Sequence, residues 1–275
     1  MRILRLQFDA GAGATLQAWH YLADEPRAAV FICPALAGRA GAYDAFSRYL
    51  CRRGMNVWVH QHRADRSVSL HDWAVRDTAT AVHRFLDAAG PLPRWAVGHS
   101  FGGLFLGLSG ENREFEKLLL VASPRTNVWS FAWSAIPKAA FDFYLKVPAL
   151  WRFRSHVPLS GLGLDGSVPP RIAADCSSLM RSRHFERGLH KLALPAGNFA
   201  HFTGDLLSLC FRDDPLATAG PTRAFAELFT RASRCEVREI NPRAFEIARI
   251  SHLGFFGRQC QAGVWPALVD GFLAP

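Results

Sequence analysis

The apolar run Trp95-Ala96-Val97-Gly98-His99-Ser100-Phe101-Gly102-Gly103 stops at a Gly-x-Ser-x-Gly motif and continues into the apolar residues 104–106. A nucleophile elbow consists of an apolar strand, one sharp turn that carries a serine, and a following helix. Gly98 and Gly102 fit that turn, because residues two before and two after the serine approach neighbouring backbone too closely to carry a Cβ. The stretch therefore predicts that the Ser100 hydroxyl projects above a sheet.

The same turn predicts part of an oxyanion hole. The helix after the serine begins with free amides and the positive end of its dipole, so the backbone N–H of Phe101 points at whatever Ser100 attacks. A second donor is expected from the small-residue loop 33–38, because sheets of this kind place their other oxyanion amide after an earlier strand. We assign that amide to Leu36.

Length and composition limit the remaining possibilities. With 275 residues and 49% hydrophobic content, the chain suits one large core, with or without an inserted lobe. No apolar run is long enough to span a bilayer and the N-terminus lacks a signal-peptide core, so we expect a soluble, cytoplasmic protein without membrane insertion. The six cysteines are scattered and are expected to be reduced. The arginines behind the net charge of +9 are dispersed along the chain, which argues against nucleic acid as a partner.

Strand and helix patterns alternate on either side of the elbow. Before it come a hairpin of residues 3–8 and 15–21, strands at 27–32 and 55–60, and an amphipathic helix at 70–89. After it come strands at 115–122, 205–211 and 235–240 and helices at 221–229 and 265–273. This order predicts an α/β fold, with a mostly parallel sheet entered through an antiparallel edge and helices on both faces.

Residues 125–202 interrupt this alternation. An insertion of that length is too long for a loop, so we predict a cap lobe on a core domain formed by residues 1–124 and 203–275. The lobe is dense in large aromatic side chains: Trp129, Phe131, Trp133, Phe141, Phe143, Tyr144, Trp151 and Phe153. We expect most of them to pack inside the lobe and some to face the cleft above Ser100.

A serine nucleophile needs a base, and an imidazole base needs an acid that fixes its tautomer. His252 is the candidate base, since it lies between the last strand and the closing helix, beside the flexible Gly254. The candidate acid follows the strand 205–211, where Asp213 and Asp214 are adjacent. The residues alone leave both open. Asp214 is favoured by the family resemblance given below, in which the run Asp-Pro-Leu-Ala is similar to the turn that carries the acid, and Asp213 remains the alternative.

Two other motifs resemble a cofactor-binding and a metal-binding sequence, but their surroundings argue against both kinds of site. The run 161–166 matches a dinucleotide fingerprint in its letters, but no strand precedes it and Pro169-Pro170 follows in place of a helix. The run 60–65, His-Gln-His-Arg-Ala-Asp, resembles a binuclear zinc motif, but its aspartate is one place late and the last histidine is missing.

The chain resembles the α/β-hydrolase superfamily, in particular bacterial hydrolases related to serine aminopeptidase-like and lysophospholipase-like members. The resemblance covers most of the chain and is weakest in the insertion. It lies in the order Ser, Asp, His and in these segments: Asp72-Trp73 with Asp77, residues 98–103, Asp213-Asp214 with Ala217-Thr218, and residues 251–256 with Trp265-Pro266. Two departures stand out. Ser251 replaces the usual glycine before the histidine, and Gln61-His62-Arg63-Ala64 replaces the usual Asp-x-Arg-Gly turn, which could change the mouth of the cleft.

The resemblance implies the fold and the triad Ser100, Asp214 and His252 more firmly than the substrate. The favoured function is a serine hydrolase that cleaves a carboxylic ester or thioester of a small to medium apolar acyl group. An acyltransferase with the same triad and a non-catalytic binding protein are the alternatives. The expected partner is a small-molecule acyl substrate, and a homo-oligomer remains open.

Overall fold

A computed structural model describes residues 1–11, 13–159 and 166–274 and contains an eight-stranded sheet. Its strands, in spatial order, are β1 (Arg2–Asp9), β2 (Thr15–Leu22), β4 (Met55–Gln61), β3 (Ala28–Cys33), β5 (Arg94–His99), β6 (Lys117–Val121), β9 (Asp205–Phe211) and β10 (Arg234–Ile240). The pairs β1–β2 and β2–β4 are antiparallel, and every other neighbouring pair is parallel. The predicted mostly parallel sheet with an antiparallel edge is confirmed.

Helices cover both faces of this sheet because its central strands are apolar on both sides. In β3, Phe31 packs with α2 (Thr78–Ala89) and α3 (Phe101–Leu108), whereas Val30 and Ile32 pack with α1 (Asp44–Cys51) and the C-terminal turns Pro266–Asp270. The helix α8 (Ala219–Ala226) joins β9 to β10. Within the described ranges, no helix is long and apolar enough to cross a membrane.

The chain between β6 and β9 is largely helical. It contains α4 (Ile136–Ala140), α5 (Val147–Leu150), the short strands β7 (Val157–Pro158) and β8 (Ser167–Val168), α6 (Pro170–Arg181) and α7 (Phe185–Lys191). The π-helical turns Phe141–Lys146 join α4 and α5 into one continuous helix, called here the α4–α5 helix. The dinucleotide-like run 161–166 lies outside the described residues except for Gly166.

The aromatic side chains of this insertion are more exposed than the sequence predicts. Phe131 and Phe143 are buried and Trp151 is partly buried. The other five are exposed: Trp129, Trp133, Phe141, Tyr144 and Phe153. The expectation that most of these side chains pack inside the lobe is therefore wrong, since aromatic content alone does not show which face of a helix points inward.

His60, on β4, and His62, just after it, are buried, and their pKa values predict how the free energy of unfolding depends on pH. Burial holds the pKa of His60 well below its usual value and lowers that of His62 to about 4. In the unfolded chain, where histidine has a pKa near 6.5, His60 and His62 therefore bind protons at pH values at which they stay neutral in the folded chain. The stabilising effect is fully present above about pH 6.5 and is lost as the pH falls towards about 4.

Replacing His60 by leucine should reduce the loss of stability as the pH falls. Neither ring nitrogen of His60 has a hydrogen-bond partner among the described residues, so an apolar side chain of similar size removes a protonation cost without leaving a polar group unpaired. Urea midpoints measured across that pH range should fall less steeply for His60→Leu than for the parent. The matched control is His201→Leu at an exposed position, and an equal slope in parent and His60→Leu would refute the prediction.

Candidate active site

Three of the predicted site residues meet at the carboxyl edge of the sheet. Ser100 lies between β5 and α3, Asp214 follows β9, and His252 lies in the loop after β10. Parallel strands place their carboxyl ends at one edge, so residues that are distant in sequence come together there. The backbone of Ser100 has φ 53° and ψ −118°, a strained conformation with positive φ of the kind that a sharp elbow requires.

The glycines around Ser100 are required by close backbone packing. A Cβ on Gly98 would lie 2.6 Å from Gly103 Cα, and one on Gly102 would lie 2.6 Å from the carbonyl oxygen of Pro34. Both distances are shorter than any real Cβ contact, so alanine at either position would displace the elbow. The sequence-based explanation of these two glycines is confirmed.

The side chains of Ser100, His252 and Asp214 form a continuous hydrogen-bonded row. His252 Nε2 lies 2.9 Å from Ser100 Oγ, and His252 Nδ1 lies 2.8 Å from Asp214 Oδ2. Burial would raise the pKa of Asp214, but the charge and hydrogen bond of His252 and backbone N–H bonds more than offset this, so that pKa is lowered. Asp214 is therefore an ionised carboxylate that can fix the histidine tautomer and stabilise an imidazolium.

Asp213 has a different task from its neighbour. Its carboxylate accepts hydrogen bonds from the backbone N–H groups of Ile250, at 2.9 Å, and Ser251, at 3.0 Å. It thereby anchors the loop that carries His252. Ser251 has φ 52°, a conformation that glycine adopts without strain, which explains why glycine suits this position in the family that the chain resembles.

Two residues that line the cleft with Ser100 carry the backbone amides predicted for the oxyanion hole. Leu36 and Phe101 both line the cleft that contains Ser100 and His252, and neither amide donates a hydrogen bond to any residue that the structure describes. The cleft encloses about 40 Å³, and apolar side chains from the insertion complete it: Phe131, Phe143 and Met180. It can hold a small apolar group against a hydroxyl and two hydrogen-bond donors.

A buried pair behind the site was not found from the sequence. The Ala35 N–H donates to Tyr43 Oη at 2.8 Å, the Tyr43 hydroxyl donates to His99 Nδ1 at 2.8 Å, and His99 Nε2 donates to the His252 carbonyl at 2.9 Å. Burial lowers the pKa of His99 to about 3, so its ring is neutral. The pair connects the loop after β3 with the loop that carries His252.

The unusual turn after β4 lies outside the cleft. His62 stacks on Trp73 with ring centroids 4.5 Å apart, and Arg63 Nε lies 2.7 Å from the buried carboxylate of Asp77. None of the residues 61–64 lines the cleft around Ser100. The described residues contain no group of three or more side chains able to hold a metal ion.

Solved structures with the same architecture decide the fold. The esterase domain of a Rhodothermus marinus protein is similar over 100% of this chain and 98% of its own, with a TM-score of 0.62 and 16% identity. This chain has the α/β-hydrolase fold. A monoglyceride lipase variant from Saccharomyces cerevisiae shares this hydrolase fold with a TM-score of 0.60 and 14% identity, over 87% of this chain and 85% of its own. Est1E from Butyrivibrio proteoclasticus matches with a TM-score of 0.56 and 14% identity, over 90% of each chain.

Similarity at such low identity establishes the fold alone. No protein-family model matches the chain, and no curated protein matches it in sequence. The narrower resemblance to aminopeptidase-like and lysophospholipase-like hydrolases stays a prediction.

Proposed function

We propose that the protein is a serine hydrolase that cleaves a carboxylic ester or thioester through an acyl-enzyme. The observation that carries this proposal is the row Ser100, His252 and Asp214, with distances of 2.9 and 2.8 Å, at the elbow of an α/β-hydrolase fold. The esterase and lipase names of the structural neighbours agree with it. In this proposal residues 125–202 act as the cap over the site.

The mechanism follows from the groups in the row. Ser100 Oγ attacks the acyl carbon while His252 Nε2 takes its proton, and Asp214 stabilises the imidazolium. The amides of Leu36 and Phe101 donate to the oxyanion of the tetrahedral intermediate. The imidazolium then returns the proton to the departing alcohol or thiol, which leaves the acyl group on Ser100. Water, activated by His252, releases the acid.

The substrate class follows from the cleft. Its walls are mostly apolar, and Leu104, Phe131 and Phe143 are among the residues that line it. Each methylene buried there should contribute about 0.8 kcal/mol, close to fourfold in kcat/KM. The small enclosed volume limits this gain to a few carbons, which suits a small to medium acyl group.

Chain-length profiles test this assignment. Across p-nitrophenyl esters from acetate to dodecanoate, kcat/KM should rise beyond acetate and fall once the pocket is full. Phe131→Ala should move the maximum to longer chains, because it removes a ring from the cleft wall. Trp133→Ala is the matched control, since that exposed ring is absent from the cleft lining.

A flat profile, or a preference for acetate, would contradict an acyl pocket in this cleft. Product analysis with added alcohols or amines separates the alternatives: transfer of the acyl group to these acceptors would indicate an acyltransferase. Absence of turnover and of covalent labelling at Ser100 would indicate a binding protein.

A further inference from the structure

The α4–α5 helix is apolar on two opposite faces. Its inner face is buried and includes Ala139, Phe143 and Val147. Its outer face exposes Phe141, Tyr144 and Leu145, at 56%, 40% and 60% of their surfaces. These three recur at the spacing of one helical face. A helix that is apolar on both faces is normally buried, but no described part of the chain covers the outer face of this one.

Two further aromatic residues flank this helix. Trp133, three residues before it, is 90% exposed, and Phe153, three residues after it, is 84% exposed. We call these two residues and the outer face together the aromatic face. Exposing large apolar side chains to water costs free energy, and monomeric proteins rarely expose several of them together without a binding role.

The segment that carries the aromatic face has an excess of positive charge. Residues 125–202 carry ten basic and four acidic side chains, so they account for +6 of the net charge of +9. Lys138, Arg152 and Arg154 are exposed and form no ion pair within the described part of the chain. The only carboxylate between residues 128 and 159 is Asp142, which is buried and lies 2.6 Å from Lys146 Nζ. Exposed cations without an ion pair therefore lie close in sequence to the exposed aromatic residues, in a segment that is poor in carboxylates.

We infer that the aromatic face docks on the surface of an anionic lipid assembly. Aromatic and aliphatic side chains at a lipid surface enter the boundary of headgroups and acyl chains, while lysine and arginine attract anionic headgroups. A second copy of this chain is a poor occupant, because pairing the two faces would bring the same positive charges together. The docking is peripheral and needs no membrane-spanning segment.

The position of this face links it to the cleft. Phe143, on the inner side of the same helix, lines the cavity around Ser100. A lipid surface bound to the outer side would therefore lie close to the cleft. Docking itself is independent of the proposed hydrolase activity, since it rests on exposed residues that do not line the cleft.

Vesicle flotation tests the inference on the full chain. The parent protein should float with vesicles of phosphatidylcholine and phosphatidylglycerol, bind pure phosphatidylcholine much more weakly, and dissociate in high salt. Trp133→Ser/Phe153→Ser should lose at least tenfold in partition coefficient. The charge variant Lys138→Gln/Arg152→Gln/Arg154→Gln should lose roughly a hundredfold at low salt.

Matched controls separate docking from general charge. Arg66→Gln/Arg84→Gln/Arg231→Gln removes three exposed cations elsewhere and should bind the anionic vesicles like the parent. Unchanged thermal midpoints would show that the variants are folded, as expected for exposed positions. Equal losses in the control and in the charge variant, or no vesicle binding by the parent, would overturn the inference. A parent dimer that Trp133→Ser/Phe153→Ser dissociates, without vesicle binding, would assign the face to a second copy.

Discussion

Ser100→Ala is expected to lower kcat for p-nitrophenyl butyrate by roughly 10⁶-fold, close to the rate without a nucleophile. The hydroxyl is the attacking group in the proposed mechanism and the only Ser100 atom bonded to His252. Its removal leaves no buried cavity, since the side chain borders the open cleft, so the free energy of unfolding should change little.

Ser251→Ala is the matched control for that substitution. Ser251 is next to His252, also has a positive φ and is partly exposed, and its hydroxyl accepts a hydrogen bond from Arg249 at 3.5 Å. Turnover by this variant should stay near that of the parent. Full activity in Ser100→Ala would remove Ser100 from the mechanism.

Asp214→Asn should lower kcat by about four orders of magnitude. An asparagine amide facing His252 Nδ1 holds the wrong tautomer and cannot stabilise the imidazolium, although it preserves size and shape. Steady-state kinetics with the same ester, together with a thermal midpoint, would separate this chemical effect from unfolding.

Asp213→Asn provides the comparison at the adjacent position. Its carboxylate holds the backbone of residues 250 and 251, whereas the imidazole bonds to Asp214, so the loss of the Asp213 carboxylate should loosen the His252 loop and cost far less than Asp214→Asn. A larger effect at Asp213 would reassign the triad acid to that residue. Small effects of both substitutions would place the acid elsewhere.

The elbow, the sheet and the meeting of Ser100, Asp214 and His252 could be predicted because they depend on local patterns. Glycine spacing defines the turn, and the carboxyl ends of successive parallel strands must share one edge. The sequence favours Asp214 over Asp213 as the partner of His252 but does not decide between them. Two adjacent carboxylates differ in direction, and that direction depends on the tight turn after β9.

Other features could not be predicted because they depend on packing between distant segments. The contact between Tyr43 and His99 joins residues 56 positions apart, and no spacing rule connects them. The outward direction of Phe141 and Tyr144 depends on where the α4–α5 helix meets the core, which aromatic content does not reveal.

A fluorophosphonate probe followed by peptide mapping shows whether Ser100 is an activated serine. Such a probe requires a serine with a base and an oxyanion hole, and it needs no knowledge of the substrate. We expect a single modified peptide that contains Ser100, with labelling absent in Ser100→Ala and strongly slowed in His252→Ala. A folded parent protein that stays unlabelled, or that is labelled at another serine, would contradict it.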